Sequence, residues 1–347
     1  MSVLFSRPAF SVVTALVDMR ASVFLLLFFA ASNLFPQDLG GCFPQGATTP
    51  DGSTIYLLCE DGIALRRADT GVWETIRVPA SRRLRAFHFV TPDRGFVTGD
   101  SGLVVETIDG GKTWRAVDLD THENLTAVEG VGDKVWVAGF GGVVFHSADG
   151  GKTWRPQRTF VTQPIEGLCF IDENRGWAAG WSGLLLRTTD GGNSWQQINV
   201  PGLWETLSAI RFRDPQNGWA VGMYGVLLRT HDGGATWQRQ PVPTKSWLTS
   251  LDFSPDGSAW IAAEYHLLRS DDGGDTWQAV PHDSAMAVTR VVATRDSVFA
   301  FGPGSMLARS GGESAWLRTN LDELVQRAGS SMPSQDKAAV QTSGERP

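Results

Sequence analysis

Short apolar segments of about four to six residues recur along most of the chain, each bounded by Gly, Pro, Asn or Asp. In one stretch, Leu207–Phe212, Gly218–Gly222, Val226–Thr230 and Thr236–Gln240 are apolar or alternating runs separated by polar turns. Runs this short, with turn residues at both ends, are strand signals, and no segment before Leu321 holds a helical period. The unit repeats. Thr107-Ile108-Asp109-Gly110-Gly111-Lys112-Thr113-Trp114 returns at Ser147–Trp154, Thr188–Trp195, Thr230–Trp237 and Ser270–Trp277. The aspartates Asp109, Asp149, Asp190, Asp232 and Asp272 are 40 to 42 residues apart. Decayed copies at Ala68–Trp73 and Gly311–Trp316 bracket these five. A second set, Tyr56, Phe96, Trp136, Trp177, Trp219, Trp260 and Phe299, keeps the same period at 39 to 42 residues. Four strands, lettered A to D in chain order, in each of seven units predict an all-β fold. It is a seven-bladed β-propeller of four-stranded antiparallel blades over residues 33–320, with the Asp-Gly-Gly turns between strands C and D. Strand A of the first blade is expected from Cys42–Thr48.

The repeated residues have structural work to do. Each aspartate can accept hydrogen bonds from the backbone of its turn, the glycines adopt positive φ at little cost, and the tryptophan buries a large ring. Asp109, Asp149, Asp190, Asp232 and Asp272 are therefore read as structural, with no catalytic or calcium role.

The chain ends fall outside this pattern. Ala21–Ser32 is an apolar run of 12 residues after Arg20, too short to span a bilayer, which needs about 20. It reads as a signal peptide occupying residues 1–32, with Met19 the better start; a hydrophobic anchor is the alternative. Asn320–Arg327 reads as a short helix, and the polar remainder of 321–347 as disordered tail. A net charge of −7 argues against a nucleic-acid binder. The six histidines are scattered and the three cysteines lack metal spacing, so neither a metal nor a cofactor is expected.

The Ser/Thr-x-Asp-x-Gly-x-Thr-Trp segment is the Asp-box, or BNR repeat. Combined with Gly176-Trp177-Ala178-Ala179-Gly180 and Gly183-Leu184-Leu185-Leu186-Arg187-Thr188, it resembles the photosystem II assembly and stability factor propellers, a likeness that spans about residues 50–320. The resemblance implies an exported, non-enzymatic assembly factor that holds protein subunits of a membrane or envelope complex. The first blade departs from the family pattern, and a plain signal peptide stands where thylakoid-type targeting would. Localisation is expected in the periplasm, or on the periplasmic side of a membrane, as a monomer.

The alternative is a sialidase-type propeller that binds or hydrolyses glycans. Such an enzyme needs a tyrosine nucleophile, an acid/base pair and three arginines, carried on loops of unequal length. The even repeat leaves no room for such loops, and Tyr56 occupies a core repeat position. An arginine triad, a tyrosine and a carboxylate meeting in the axial channel would favour this reading.

Partner contacts can be placed by topology. The A–B and C–D turns share one face of a propeller, and the D–A and B–C loops share the other. Trp181, Trp204 and Trp247, the tryptophans outside both repeats, map to the second face, with Phe140, Phe160, Tyr224 and Tyr265. Aromatics collected there form either a binding surface or caps on the blade ends. Arg82, Arg83 and Arg85 add a basic spot in the first D–A loop. Arg187, Arg229, Arg269 and Arg309, with Arg66 or Arg67, recur in strand C and read as inter-blade partners; the family resemblance also suggests a binding patch.

Thr49-Pro50-Asp51-Gly52 is a turn signal. A hairpin centred between Pro50 and Asp51 sets Cys42 opposite Cys59, close enough for a disulfide in an oxidising compartment. Lipidation of Cys42, in the lipobox-like Leu39–Cys42, is the alternative, as is a pair that never oxidises. Cys169 is expected as a buried free thiol.

Overall fold

The computed structural model describes residues 45–49, 54–59, 62–67, 72–79, 82–282, 286–310 and 315–330. Seven four-stranded antiparallel sheets account for its strands, and each sheet takes its four strands from one continuous stretch of chain. The fold is the seven-bladed propeller that the repeat predicts. Blade 5 is representative: strand A is Leu207–Phe212, B is Gly218–Gly222, C is Leu227–Thr230 and D is Gln238–Arg239. The signal segment 1–32, Cys42, both decayed turns (68–71 and 311–314) and the tail from 331 lie outside the described residues.

The strand-B aromatics show why two positions recur at one period. Trp136, Trp177 and Trp219 are fully or almost fully buried. Their indole N–H groups donate to the carbonyls of Gly191, Gly233 and Gly274, in the Asp-Gly-Gly turn of the following blade, at 3.0–3.1 Å. Trp136 and Trp177 also stack on a phenylalanine of that blade's strand A, Phe170 at 3.6 Å and Phe212 at 3.5 Å. One side chain thus joins adjacent blades through both an apolar face and a polar edge. A Cβ on Gly274, where φ is +95°, would lie 2.7 Å from the Trp219 ring, so the turn needs glycine for space and for conformation.

The ring closes without exchange of a strand. Strand A of blade 1 is Gln45–Thr48, paired with Ile55–Leu58, and blade 7 runs from Arg290 to Asn320. Gly46 packs on Val292 and Phe301 of blade 7, where a Cβ would come within 2.7–2.8 Å of them. A C-terminal helix, Leu321–Ser330, then covers the seam. Asn320 caps it, its side-chain oxygen accepting from the amides of Asp322 (2.8 Å) and Glu323 (3.2 Å). Buried Leu321 and Ala328 join Ile55 and Leu57 of blade 1 and Phe299, Phe301 and Met306 of blade 7 in one cluster, with Leu324 and Val325 packed against it. The helix outruns the segment expected from sequence because its apolar stripe is buried by this seam.

Three local expectations change. Paired positions in the first hairpin sum to 103 rather than 101, because Thr49 closes a wider loop: its amide donates to the Thr54 carbonyl, and its hydroxyl accepts from the Thr54 amide. Direct opposition of Cys42 and Cys59 does not follow from that register. Cys59 is buried and disulfide-bonded, and Cys169 is buried and free. In strand C, Arg66, Arg187, Arg229 and Arg269 face the strand-B aromatics, whereas Ala308 takes that position in blade 7 and Arg309 faces Val298. Arg309 instead lies over Trp260 and Trp316. Arg85 belongs to strand A of blade 2 (Leu84–Phe89), not to the loop before it.

Candidate functional site

The two ends of the propeller differ in chemistry. At the end carrying the Asp-Gly-Gly turns, the aspartates serve the backbone. Asp109 accepts from the Thr113 hydroxyl (2.6 Å), the Thr113 amide (2.8 Å) and the Thr107 hydroxyl (2.8 Å). These bonds, led by the Thr113 hydroxyl, hold Asp109 down to about 2, and Thr153 does the same for Asp149. Asp190, Asp232 and Asp272 repeat the geometry with Ser194, Thr236 and Thr276. Both carboxylate oxygens of each of these five aspartates accept hydrogen bonds within their own turn.

At the opposite end, B–C and D–A loops interlock. The amides of Phe140, Trp181 and Met223 donate to the carbonyls of Asn124, Pro164 and Thr206 at 2.9–3.0 Å. The seven aromatics expected here are all present, and they divide into two kinds. Phe160, Trp204, Tyr224 and Tyr265 are exposed, with Phe160 at 86%. Phe140, Trp181 and Trp247 are half-buried. The Trp181 indole donates to the Glu166 carboxylate and the Trp247 indole to the Ser208 hydroxyl, both at 2.6 Å. Phe140 lies edge-on to Trp181 at 5.6 Å. These three rest on strand-A residues at the channel mouth, whereas Trp204 and Tyr224 form an outward pair at 5.6 Å.

Two of the exposed aromatics sit in left-handed backbone. Tyr224 has φ +58° at the loop position that Ser101, Gly141 and Ser182 fill in blades 2, 3 and 4. Phe160 has φ +59° where the preceding D–A loop uses Asp120. Glycine adopts this conformation freely and aspartate or asparagine tolerates it, whereas for other side chains it costs about 1–2 kcal/mol. Neither ring is repaid by burial. Strain of this kind is enriched at functional sites.

The arginines add less charge than the sequence suggests. Arg85 is ion-paired with Asp100 and lies over the Phe140 ring at 5.7 Å, and Arg82 donates to the Ser101 carbonyl. Arg82 and Arg83 are exposed, but Arg85 is tied into the channel mouth.

The channel itself brings together charged groups whose convergence the sequence did not suggest. Strand A lines a cavity of about 320 Å³ that includes His88, Glu129, Glu166, Cys169, Arg211, Asp252 and Arg290. His88, Glu129, Cys169, Arg211 and Asp252 each face a strand-B aromatic of their own blade. The available signal was a position that varies in charge inside an otherwise regular apolar strand. Burial pushes the Glu166 and Asp252 carboxyls up and the Cys169 thiol up to about 12. Among the described lining residues there are two arginines and three carboxylates but no tyrosine, so a sialidase set does not converge here.

Comparison with known proteins agrees with this architecture. The solved structure of YCF48 bound to D1 peptide has a TM-score of 0.62 at 20% identity, over 75% of this chain and 87% of that one. Virginiamycin B lyase from Staphylococcus aureus, an enzyme, has a TM-score of 0.66 at 11% identity, over 77% and 93%. Likeness at these identities shows the fold alone. The Photosystem II assembly lipoprotein Ycf48 of Prochlorococcus marinus (strain MIT 9312) is 30% identical over 67 residues, 19% of this chain and 20% of that protein. The match thus spans about a fifth of that curated relative. The family model described as photosynthesis system II assembly factor YCF48 matches residues 65–163 and 195–295. These two segments make up more than half of the 347 residues, and by them the chain belongs to the photosynthesis system II assembly factor YCF48 family.

Proposed function

We propose that this protein is an exported, non-enzymatic assembly factor that captures a protein segment of a photosystem complex on its aromatic face. The observation that carries the reading is the pair Phe160 and Tyr224, held exposed in strained backbone at positions where other repeats use Asp, Ser or Gly. Trp204 and Tyr265 extend that surface, while Phe140, Trp181 and Trp247 support it from the channel mouth. Arg82 and Arg83 supply positive charge at its edge. Aromatic anchors of this kind supply large contact area with few rotatable bonds, which suits them to binding hot spots. A related YCF48 was solved with a D1 peptide, which makes that peptide the natural probe.

The same proposal places the chain, as a monomer, on the periplasmic side of a membrane, with residues 1–32 directing export. A Cys42–Cys59 disulfide in blade 1 fits an oxidising compartment. Calorimetric titration of the full chain with a D1 peptide tests the binding role. Saturable binding that weakens at least tenfold in Trp204→Ala is expected; the absence of binding would overturn the role. Fractionation of cells checks the placement: recovery in the cytoplasm with residues 1–32 intact would contradict it.

A further inference from the structure

Arg290 breaks a pattern that blades 2 to 6 keep. It faces Phe301, the second residue after the strand-B aromatic. In blades 2 to 6 the same strand-A position holds Ala86, Ala127, Gly167, Ala209 and Ser250. This position is small in blades 2 to 6 and is Gln45 in blade 1; in blade 7 it is an arginine, and Arg290 lines the axial cavity of about 320 Å³. Arg211, from strand A of blade 5, lines it too.

The carboxylates in the cavity are occupied elsewhere. Asp252 accepts from the backbone amides of Phe253 (3.0 Å) and Ala293 (2.8 Å). Glu166 accepts from the Trp181 indole, and Glu129 lies 3.4 Å from His88 Nδ1. Arg211 gives one nitrogen to two backbone carbonyls, Leu168 (3.2 Å) and Ile210 (3.1 Å). Among the described residues, Arg290 has no hydrogen bond, and neither arginine has a carboxylate within ion-pair distance. Burial, and the like charge of Arg211, lower Arg290 to about 10, so it remains charged at neutral pH. Both arginines are half-buried in the cavity wall, where Asp252 attracts both of them from beyond ion-pair distance, and a guanidinium presents a planar fork matched to carboxylate and phosphate oxygens.

We propose that the axial channel binds one small oxyanion, a carboxylate or a phosphate, between Arg290 and Arg211. The cavity has room for such a group, and the two guanidinium groups supply its charge complement. This site is separate from the aromatic surface proposed for protein capture, so either can fail alone.

The test titrates the full chain with sodium acetate and, in a second arm, sodium phosphate. Ionic strength is held constant with sodium chloride, and binding is read by thermal unfolding and calorimetry. A saturable rise in Tm is expected in at least one arm. Response to acetate alone assigns a carboxylate, response to phosphate alone a phosphate, and response to both a general oxyanion site. Arg290→Gln should weaken that binding at least tenfold, and Arg290→Lys, which keeps the charge but loses the fork, should weaken it less. Arg239→Gln, on an outer strand, should leave it unchanged. No saturable response to either anion in the unaltered protein overturns the proposal whatever the variants do. So does an equal response in a folded Arg290→Gln protein.

Discussion

The two ends of this propeller are built from the same seven repeats but obey opposite rules. At the Asp-Gly-Gly end, what recurs is structural: aspartate, hydroxyl and glycine satisfy one another, and the strand-B tryptophan reaches across to hold the next blade. At the opposite end, what departs from the repeat is informative. Phe160 and Tyr224 occupy left-handed positions that neighbouring repeats give to aspartate, serine or glycine. In a repeat protein, regularity identifies what the fold needs, and costly irregularity identifies what the fold does not explain. Arg290 in the channel follows the same logic.

Substitutions at the two ends should separate cleanly. Trp219→Ala removes a buried ring and its hydrogen bond to Gly274, and is expected to cost about 3–5 kcal/mol in equilibrium denaturation. A cost below about 1 kcal/mol would mean that the blades do not depend on that bridge. At the seam, Leu321→Ala should cost about 2–5 kcal/mol, since the helix covers a closure that no exchanged strand secures. Proteolysis should then begin at the blade 1–blade 7 junction; cleavage first within blades 3 to 5 would contradict the clasp.

Acid should act on the Asp-Gly-Gly end. Asp109, Asp149 and Asp232 are each held at about 2 in the folded chain, below the ordinary aspartate value of about 3.9. Their contribution is therefore fully present above that ordinary value, and is lost as pH falls from about 4 through 2. The urea midpoint should drop across that window, and should drop less in the Asp109→Asn/Asp149→Asn/Asp232→Asn variant. Equal slopes would show that these bonds do not govern acid stability. The smallest effect has the opposite sign. Phe160→Asp should raise stability by about 0.5–1 kcal/mol, by placing a residue that tolerates positive φ where an exposed ring stands.

Much of this was legible in the sequence because the repeat carries it. The blade count, the strand order and the face on which each loop emerges follow from the spacing of the aspartates and strand-B aromatics. Features set by contacts between distant segments were not legible. Position alone could not separate half-buried Trp181, bonded to Glu166 in strand A of its own blade, from exposed Trp204. The first hairpin slipped by two in its pairing because side-chain bonding between Thr49 and Thr54 widened the loop. The helix that closes the ring carries only a short apolar stripe, which gains meaning once Ile55 and Phe301 are brought beneath it. The charged channel escaped notice because its members are some 40 residues apart, each a single polar residue within an apolar strand.

The central claim, that strained exposed aromatics on the loop face capture a partner at the expense of stability, is tested most directly by the Phe160→Asp/Tyr224→Ser variant. D1-peptide affinity and the urea midpoint would be measured on the same preparation. The account predicts affinity weakened at least tenfold with a midpoint equal to or above that of the unaltered protein. Unchanged affinity, or a midpoint lowered as far as Trp219→Ala lowers it, would contradict it.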